Sequence, residues 1–386
     1  MKRCYKYISA FLLVLLILAP KPSFTQKPEW SGYIKLLNNG TNVNLDGFND
    51  FLMTSWVHQR LNGRWDFNSN FTFHLGWRNQ FFYGDQVELD PIFAERLENG
   101  QNDIADLSFT ITQGSRHLWN STIDRLYFEY LIGDLEISLG RQRINWGINT
   151  LWNPNDIFNA YSFVDFDYEE RPGSDAMLIR YYLGEVSSIE VAGKFSSNKE
   201  EMVLAALHKF NTSEYDIQTL MGYANGYWTI GGGWAGNLGN AGWKGEWSWF
   251  IDDLGNRENT FLVTTGVDYT FSSGWYMSGG YMYNHRGIGG ASIASLALFE
   301  VSAQNLYPYK HSIVLSNLFP ATPLLNLGLT TVYSMNSSHP LFLIPTIVYS
   351  VGQDWDLDFT GQIGFEKGDS YYSPSQSLFL RLKWSF

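Results

Sequence analysis

Apolar and polar positions alternate with a period of two through most of this chain. From Trp65 to Gln80, the residues Trp65, Phe67, Phe71, Phe73, Leu75 and Trp77 share one parity, while Asp66, Asn68, Asn70, Thr72, His74, Arg78 and Gln80 share the other. The rhythm returns from Asp354 to Glu366, where Trp355, Leu357, Phe359, Ile363 and Phe365 alternate with Asp354, Asp356, Asp358, Thr360, Gln362 and Glu366. Successive side chains of a strand point to opposite faces, so each run predicts a strand with one apolar and one polar face. Strands are expected near 29–38, 49–61, 64–82, 121–131, 134–143, 174–183, 186–196, 201–210, 214–225, 227–237 and 241–251, then near 259–271, 274–284, 308–318, 325–336, 339–350, 354–366 and 375–386. That makes 18, or 16 if the weaker runs at 29–38, 201–210, 308–318 and 339–350 are discounted, the last being interrupted by Pro345.

Connection lengths sort onto two sides. Short links fall at Asn62-Gly63, Gly133-Asp134, Gly184-Glu185, 211–213, Gly239-Asn240, 272–274, 319–324 and Gly352-Gln353, and the long ones, 39–48, 83–120, 144–173, 252–258, 285–307 and 367–374, lie opposite them. Outer-membrane barrels have short periplasmic turns and long extracellular loops, so the expected fold is all-β: a closed antiparallel transmembrane β-barrel with its termini on the periplasmic side. Left open, so many long apolar-faced strands would expose edges that aggregate.

The stretch from Gly140 to Ala176 breaks the rhythm for about 30 residues yet is rich in Trp146, Leu151, Trp152, Ile157, Phe158, Tyr161, Phe163, Phe166 and Tyr168. Connections longer than about 12–15 residues are uncommon without a function, and this one is too apolar to stay disordered. A barrel of 16–18 strands has room for a loop inside, so residues 144–173 are expected to fold inward and narrow the pore. Asn153-Pro154 reads as an N-cap and first helical residue, giving a short helix through Phe158. Asp165, Asp167 and Glu169 share one side of an extended segment, where pairing with Arg171 and Arg143 is expected ahead of binding a divalent cation.

Composition then fixes the compartment. Residues 1–25 combine a basic start (Lys2, Arg3, Lys6), an apolar core from Ile8 to Ala19 and small residues before Gln26, the pattern of a secretory signal peptide ahead of a barrel spanning 26–386. No later window is apolar enough for a membrane helix. The single cysteine is Cys4, so after cleavage neither disulfides nor thiolate chemistry remain. Cleavage also removes four of the 26 basic residues (Lys2, Arg3, Lys6, Lys21) and none of the 38 acidic ones, leaving 22 against 38, or −16. Such a balance excludes nucleic acid as a partner.

Ten of the 13 mature arginines fall between residues 60 and 180, and parity turns Arg60, Arg78, Arg125 and Arg180 to the polar face, joined by Arg381 and Lys383 where the last strand meets the first. Asp216, Glu246, Asp268, Asp354, Asp356 and Asp358 are expected elsewhere on the lumen wall, so that a field across the lumen would orient a small polar solute. With Arg143, Asp165, Asp167, Glu169 and Arg171 these arginines make up the candidate pathway. Arg141 shares parity with Leu135, Ile137 and Leu139, which predicts a bulge at Gly140 or a position above the hydrocarbon. His58, His74 and Ser278 have the parity for a barrel-embedded hydrolase but no compact spacing, so no catalytic residue is assigned. Nor is there a motif for a nucleotide, haem or metal, so no cofactor is expected.

Two local patterns resemble known families. The run from Ser377 to Phe386 alternates and ends in an aromatic residue, as in the terminal strand of bacterial outer-membrane barrels, which implies recognition of Phe386 by the barrel-assembly machinery. GRQRINWG at 140–147, with DRLYFEY at 124–130 before it and WNPNDIF at 152–158 after it, resembles the G-R-Q-x-x-x-W-G porin-like barrels of Gram-negative outer membranes and, more distantly, the 18-stranded alginate-export barrels. The resemblance implies a passive channel in contact with outer-membrane lipids, and a homo-oligomer is compatible with it. The alginate exporters use a strongly basic lumen, which this acidic chain does not match. A polysaccharide-export-like barrel, a barrel hydrolase and a non-conducting adhesion or assembly barrel are the alternatives.

Overall fold

A computed structural model describes residues 27–386 apart from 46–47, 100–103, 161–170, 172, 197 and several positions between 289 and 300. The signal peptide and the acidic run Asp165, Asp167 and Glu169 lie outside the described residues. Nineteen strands form one sheet: β1 (Glu29–Leu45), β2 (Phe48–Asn68), β3 (Phe71–Gly84), β4 (Ser108–Gln113), β5 (His117–Ile132), β6 (Leu135–Gln142), β7 (Ser174–Tyr182), β8 (Ser188–Lys194), β9 (Val203–Thr212), β10 (Tyr215–Ala224), β11 (Tyr227–Leu238), β12 (Ala241–Asp252), β13 (Thr260–Thr270), β14 (Tyr276–Asn284), β15 (His311–Thr322), β16 (Leu325–Ser334), β17 (Leu341–Gly352), β18 (Trp355–Lys367) and β19 (Tyr371–Ser385). Every stave pairs antiparallel with its neighbours, and β1 pairs with both β2 and β19, which closes the barrel. Backbone bonds in both directions between Gly32 and Phe386, each 2.9 Å, fasten the seam. β4 is the exception, because it pairs with β5 alone, so 18 strands form the wall.

One expected turn is displaced. Asn62-Gly63 lies inside β2, and the hairpin turns at Ser69-Asn70. Trp65 stands opposite Phe73 and Asp66 opposite Thr72. Facing residues here share parity, so the alternation passes through the turn undisturbed and hides it. Pro345 sits within β17; having no N–H, it leaves the ladder to β18 interrupted between Leu343 and Thr346.

Exposure separates the two faces. Trp30, Ile34, Leu36, Val57, Trp77, Phe81, Ile230, Val267 and Phe359 look outward, whereas Lys35, Leu37, His58, Arg60, Gln218, Glu246 and Ser248 are buried inside. The inner wall is not uniformly polar. Ala176, Leu178, Ala205, Leu207, Leu220, Phe250 and Leu262 make one side of it apolar, and Ile144, Trp146, Trp152, Ile157 and Phe158 pack there. At about 1.5–3 kcal/mol for each large side chain buried, these five contribute on the order of 10 kcal/mol as an upper estimate. Helices α1 (Asp85–Leu89) and α2 (Phe93–Asn99) cover the rim beside β2, β3 and β5, with Val87 and Phe93 in a cluster with Trp56, Phe82 and Leu118.

Candidate functional site: a loop docked inside the barrel

The connection from β6 to β7 enters the lumen and is fastened by hydrogen bonds to inward-facing strand residues. Glu246 of β12 is the main anchor. One oxygen of its buried carboxylate accepts the backbone N–H groups of Ile148 and Asn149, and the other accepts that of Asn155 at 3.2 Å. Ser248, one inward position further along, donates to Pro154 O at 3.0 Å or to Asn155 Oδ1 at 2.7 Å. Asn155 Nδ2 donates to Gly232 O at 2.9 Å, and Gln218 Nε2 to Trp146 O at 2.8 Å. The helix expected from Asn153 does not form: Pro154-Asn155 is a single turn closed by Asp156 N to Asn153 O. The N–H of Asn155 goes instead to Glu246.

Close approach to the wall needs glycine at two places. A Cβ on Gly231 would lie 2.5 Å from Asn155 Oδ1, and one on Gly233 would lie 2.7 Å from Ile148 Cδ1. Both are below van der Waals contact, so the loop rests in a groove that side chains would fill.

Charged groups secure the loop's two ends. Trp146 Nε1 donates to Glu190 Oε2 at 2.8 Å, and Glu190 also meets Lys209 at 3.0 Å and Arg180 at 3.1 Å. Arg180 reaches Glu136 as well, at 2.9 Å. Asp156, buried in the loop, pairs with Arg171, and Arg143 lies near enough to act on it. Burial outweighs these cations and pushes the Asp156 carboxyl up to about 7.

Across the lumen, Arg60 and Asp124 form a buried pair at 2.7 Å, with Arg125 beside it at 3.8 Å. Arg125 also donates to Arg171 O at 2.6 Å, which ties the basic wall to the end of the loop. Asp124 and Arg125 both point inward because the β3–β5 register shifts there, Gly76 facing Arg125 and Trp77 facing Ile123. The signal for this bulge was present in DRLYFEY: with Arg125 inward, plain alternation leaves the carboxylate of Asp124 in lipid. Arg78 stands directly opposite Arg60 on β3 and, among the described residues, has no carboxylate within ion-pair distance. The charges of the wall are mostly neutralised by near neighbours, as in Arg381 with Asp358 and Lys244 with Asp268, instead of opposing one another across the lumen. Register brings these partners together, and parity alone could not.

Gly140 does not bulge. Its pairings with Tyr127 and Ala176 are in register, although its φ of +126° is one that other residues rarely adopt. The proposed hydrolase groups stay apart: His58 meets the ring of Tyr33, His74 stacks on Tyr127, and Ser278 faces Asp268 on a distant part of the wall. Among the described residues no group of three or more His, Cys, Asp or Glu could hold a metal. Above the docked loop, Tyr307 packs on Trp152 with ring centres 5.7 Å apart, and Gln304 donates to Ala224 O of β10.

An 18-stranded antiparallel barrel whose β6–β7 connection turns inward has the architecture of outer-membrane porins. The chain is similar to OccAB4 of Acinetobacter baumannii, with a TM-score of 0.60 and 10% identity over 95% of this chain and 100% of that chain. It is likewise similar to OccK9 (OpdG) of Pseudomonas aeruginosa, with 0.59 and 11% over 94% and 100%, and to OpdK of the same organism, solved with vanillate, with 0.57 and 9% over 93% and 98%. At these identities the likeness concerns the fold. No family model and no curated protein matches the sequence.

Proposed function

We propose that this protein is a porin-like channel of the Gram-negative outer membrane, passing small polar solutes passively, with residues 144–173 as its constriction. The observation that carries the reading is the docked loop: three backbone N–H groups on one buried carboxylate hold it inside the barrel, where it takes up lumen cross-section. The G-R-Q-x-x-x-W-G resemblance supports it, since Arg141, Gln142 and Trp146 are the residues that guide and hold the chain as it leaves the wall. Arg78 offers a passing solute a cation that no carboxylate among the described residues pairs with, and Asp165, Asp167 and Glu169 would add acidic groups to the narrow part. Phe386, half exposed beside the seam, is the group the assembly machinery would read.

Planar-bilayer recording of the purified protein under a salt gradient tests this. Stepwise ionic currents are expected, and deleting residues 148–168 raises the step size while the unheated protein still migrates differently from the boiled form on a denaturing gel. Absence of current from the folded protein and from the deletion alike overturns the channel reading. A non-conducting barrel is the second reading, favoured by the packing of Tyr307 on Trp152 of the docked loop and by the bond of Gln304 to the β10 wall.

A further inference from the structure

β6 has eight residues, fewer than the roughly 9–11 a tilted strand needs to cross the hydrocarbon. β5 beside it has 16, so where the chain leaves β6 for the lumen the upper edge of β5 would be left unpaired in the membrane wall. The extracellular connection fills that edge. β5 pairs with β6 up to Leu126↔Arg141; Ile123 N then donates to Leu107 O at 2.9 Å, and β4 continues from Ser108↔Thr122 to Gln113↔Leu118. One stave is thus built from two separate pieces of chain.

Arg141 and Asp175 sit at the joint. Both have lipid-side parity, yet Arg141 is 2% exposed. Its Nε donates to Asp175 Oδ1 at 2.8 Å, and its other nitrogens donate to the carbonyls of Ile123 and Ala105. The N–H of Ala105 closes the arrangement on Asp175 Oδ2 at 2.9 Å. The ion pair is therefore covered by the borrowed segment and kept from hydrocarbon.

The outer face of that segment is apolar. Phe109 stands opposite Ser121, whose hydroxyl accepts from the lipid-facing Trp77, while Ser108 and Thr110 turn inward against Thr122 and Asn120. Ile104, Phe109 and Ile111 are 55%, 51% and 46% exposed, and they continue the belt formed by Trp77, Phe81 and Trp119. We infer that residues 104–113 are an embedded part of the wall, with Ile104, Phe109 and Ile111 covered by acyl chains of the outer leaflet, and that Arg141 with Asp175 seals the joint beneath them. The covering partner is lipid because Phe109, paired with Ser121 beside the lipid-facing Trp77, continues that belt, and Ile104 and Ile111 lie exposed on either side of it.

Spin labelling of the full-length barrel tests this. In the barrel spanning 26–386, which holds no cysteine of its own, Phe109→Cys, Ile111→Cys, the lipid-facing reference Val267→Cys and the aqueous reference Leu254→Cys are each nitroxide-labelled and reconstituted in phosphatidylcholine vesicles. Relaxation by oxygen, which concentrates in the membrane, is compared with relaxation by a water-soluble nickel complex. Positions 109 and 111 should match 267, with oxygen contact and a loss of nickel contact relative to 254. Matching 254 while 267 reads as lipid overturns the inference. So does protection from both agents, which would mean that protein covers the patch. Because 267 reports insertion independently and no current is measured, failure here is separate from failure of the channel reading.

Discussion

The backbone N–H of Asn155 meets the carboxylate of Glu246 across 91 residues of chain, and the same carboxylate takes up the N–H groups of Ile148 and Asn149. An amide at position 246 would keep one acceptor oxygen and turn an NH2 donor toward a loop N–H. Hydrogen bonds to charged groups contribute about 1.5–3 kcal/mol each, so Glu246→Gln should loosen the loop by at least about that amount. The expected outcome is larger, noisier single-channel steps with unchanged heat-modifiability on a gel. Wild-type conductance in this variant would mean that the apolar packing of Trp146 and Trp152 holds the loop without the clasp.

Docking should also respond to pH through Asp156. Its carboxyl in the docked loop titrates at about 7, raised by burial, against about 3.9 in an undocked chain. Between these values the docked state holds a proton that the undocked state has released. The contribution to docking is therefore fully present below about 4 and lost as pH rises through 7. Hydrogen exchange at the amides of 144–152, corrected for intrinsic rates, should show protection falling from pH 5 to pH 8. Asp156→Asn should make that slope shallower.

Removing one partner of the Arg60–Asp124 pair strands the other in a buried site, which costs about 3–5 kcal/mol. Asp124→Asn should lower the urea midpoint for unfolding of the reconstituted barrel accordingly, and pairing it with Arg60→Met should recover much of the loss. An unchanged midpoint in Asp124→Asn would mean that water reaches the site.

Replacing Arg78 breaks no ion pair among the described residues. Arg78→Gln should leave the unfolding midpoint unchanged and shift the reversal potential in a salt gradient toward cations. A stability loss without a selectivity change would place this residue in the packing and outside the pathway.

Much of the barrel was legible because burial on one face only imposes a period of two. Each of the 18 expected runs overlaps a different wall strand, including the one interrupted by Pro345, although the run at 64–82 begins in β2 and crosses a turn. The Ser69-Asn70 turn was not legible, because Trp65 and Phe73 keep the same parity on either side of it. β4 was hidden in the connection 83–120, being short and partnered by only one strand. The need for an inward loop followed from the bulk of Trp146, Trp152 and Phe158, but its anchor did not. Glu246 reads from the sequence as one acidic lumen residue among several, and only the barrel's curvature shows which carboxylate the loop meets. The same holds for the pairing of Arg171 with Asp156, a loop residue 15 positions earlier in the chain.

The glycines at 231 and 233 have a consequence for how such a barrel changes its bore. They leave room for the side chains of Asn155 and Ile148 against the wall. Any larger residue there would act as a shim, lifting Asn155 or Ile148 toward the opposite side without altering the loop's own sequence. The space between the docked loop and the opposite wall is thus set partly from the strands, at positions the loop's own sequence does not contain.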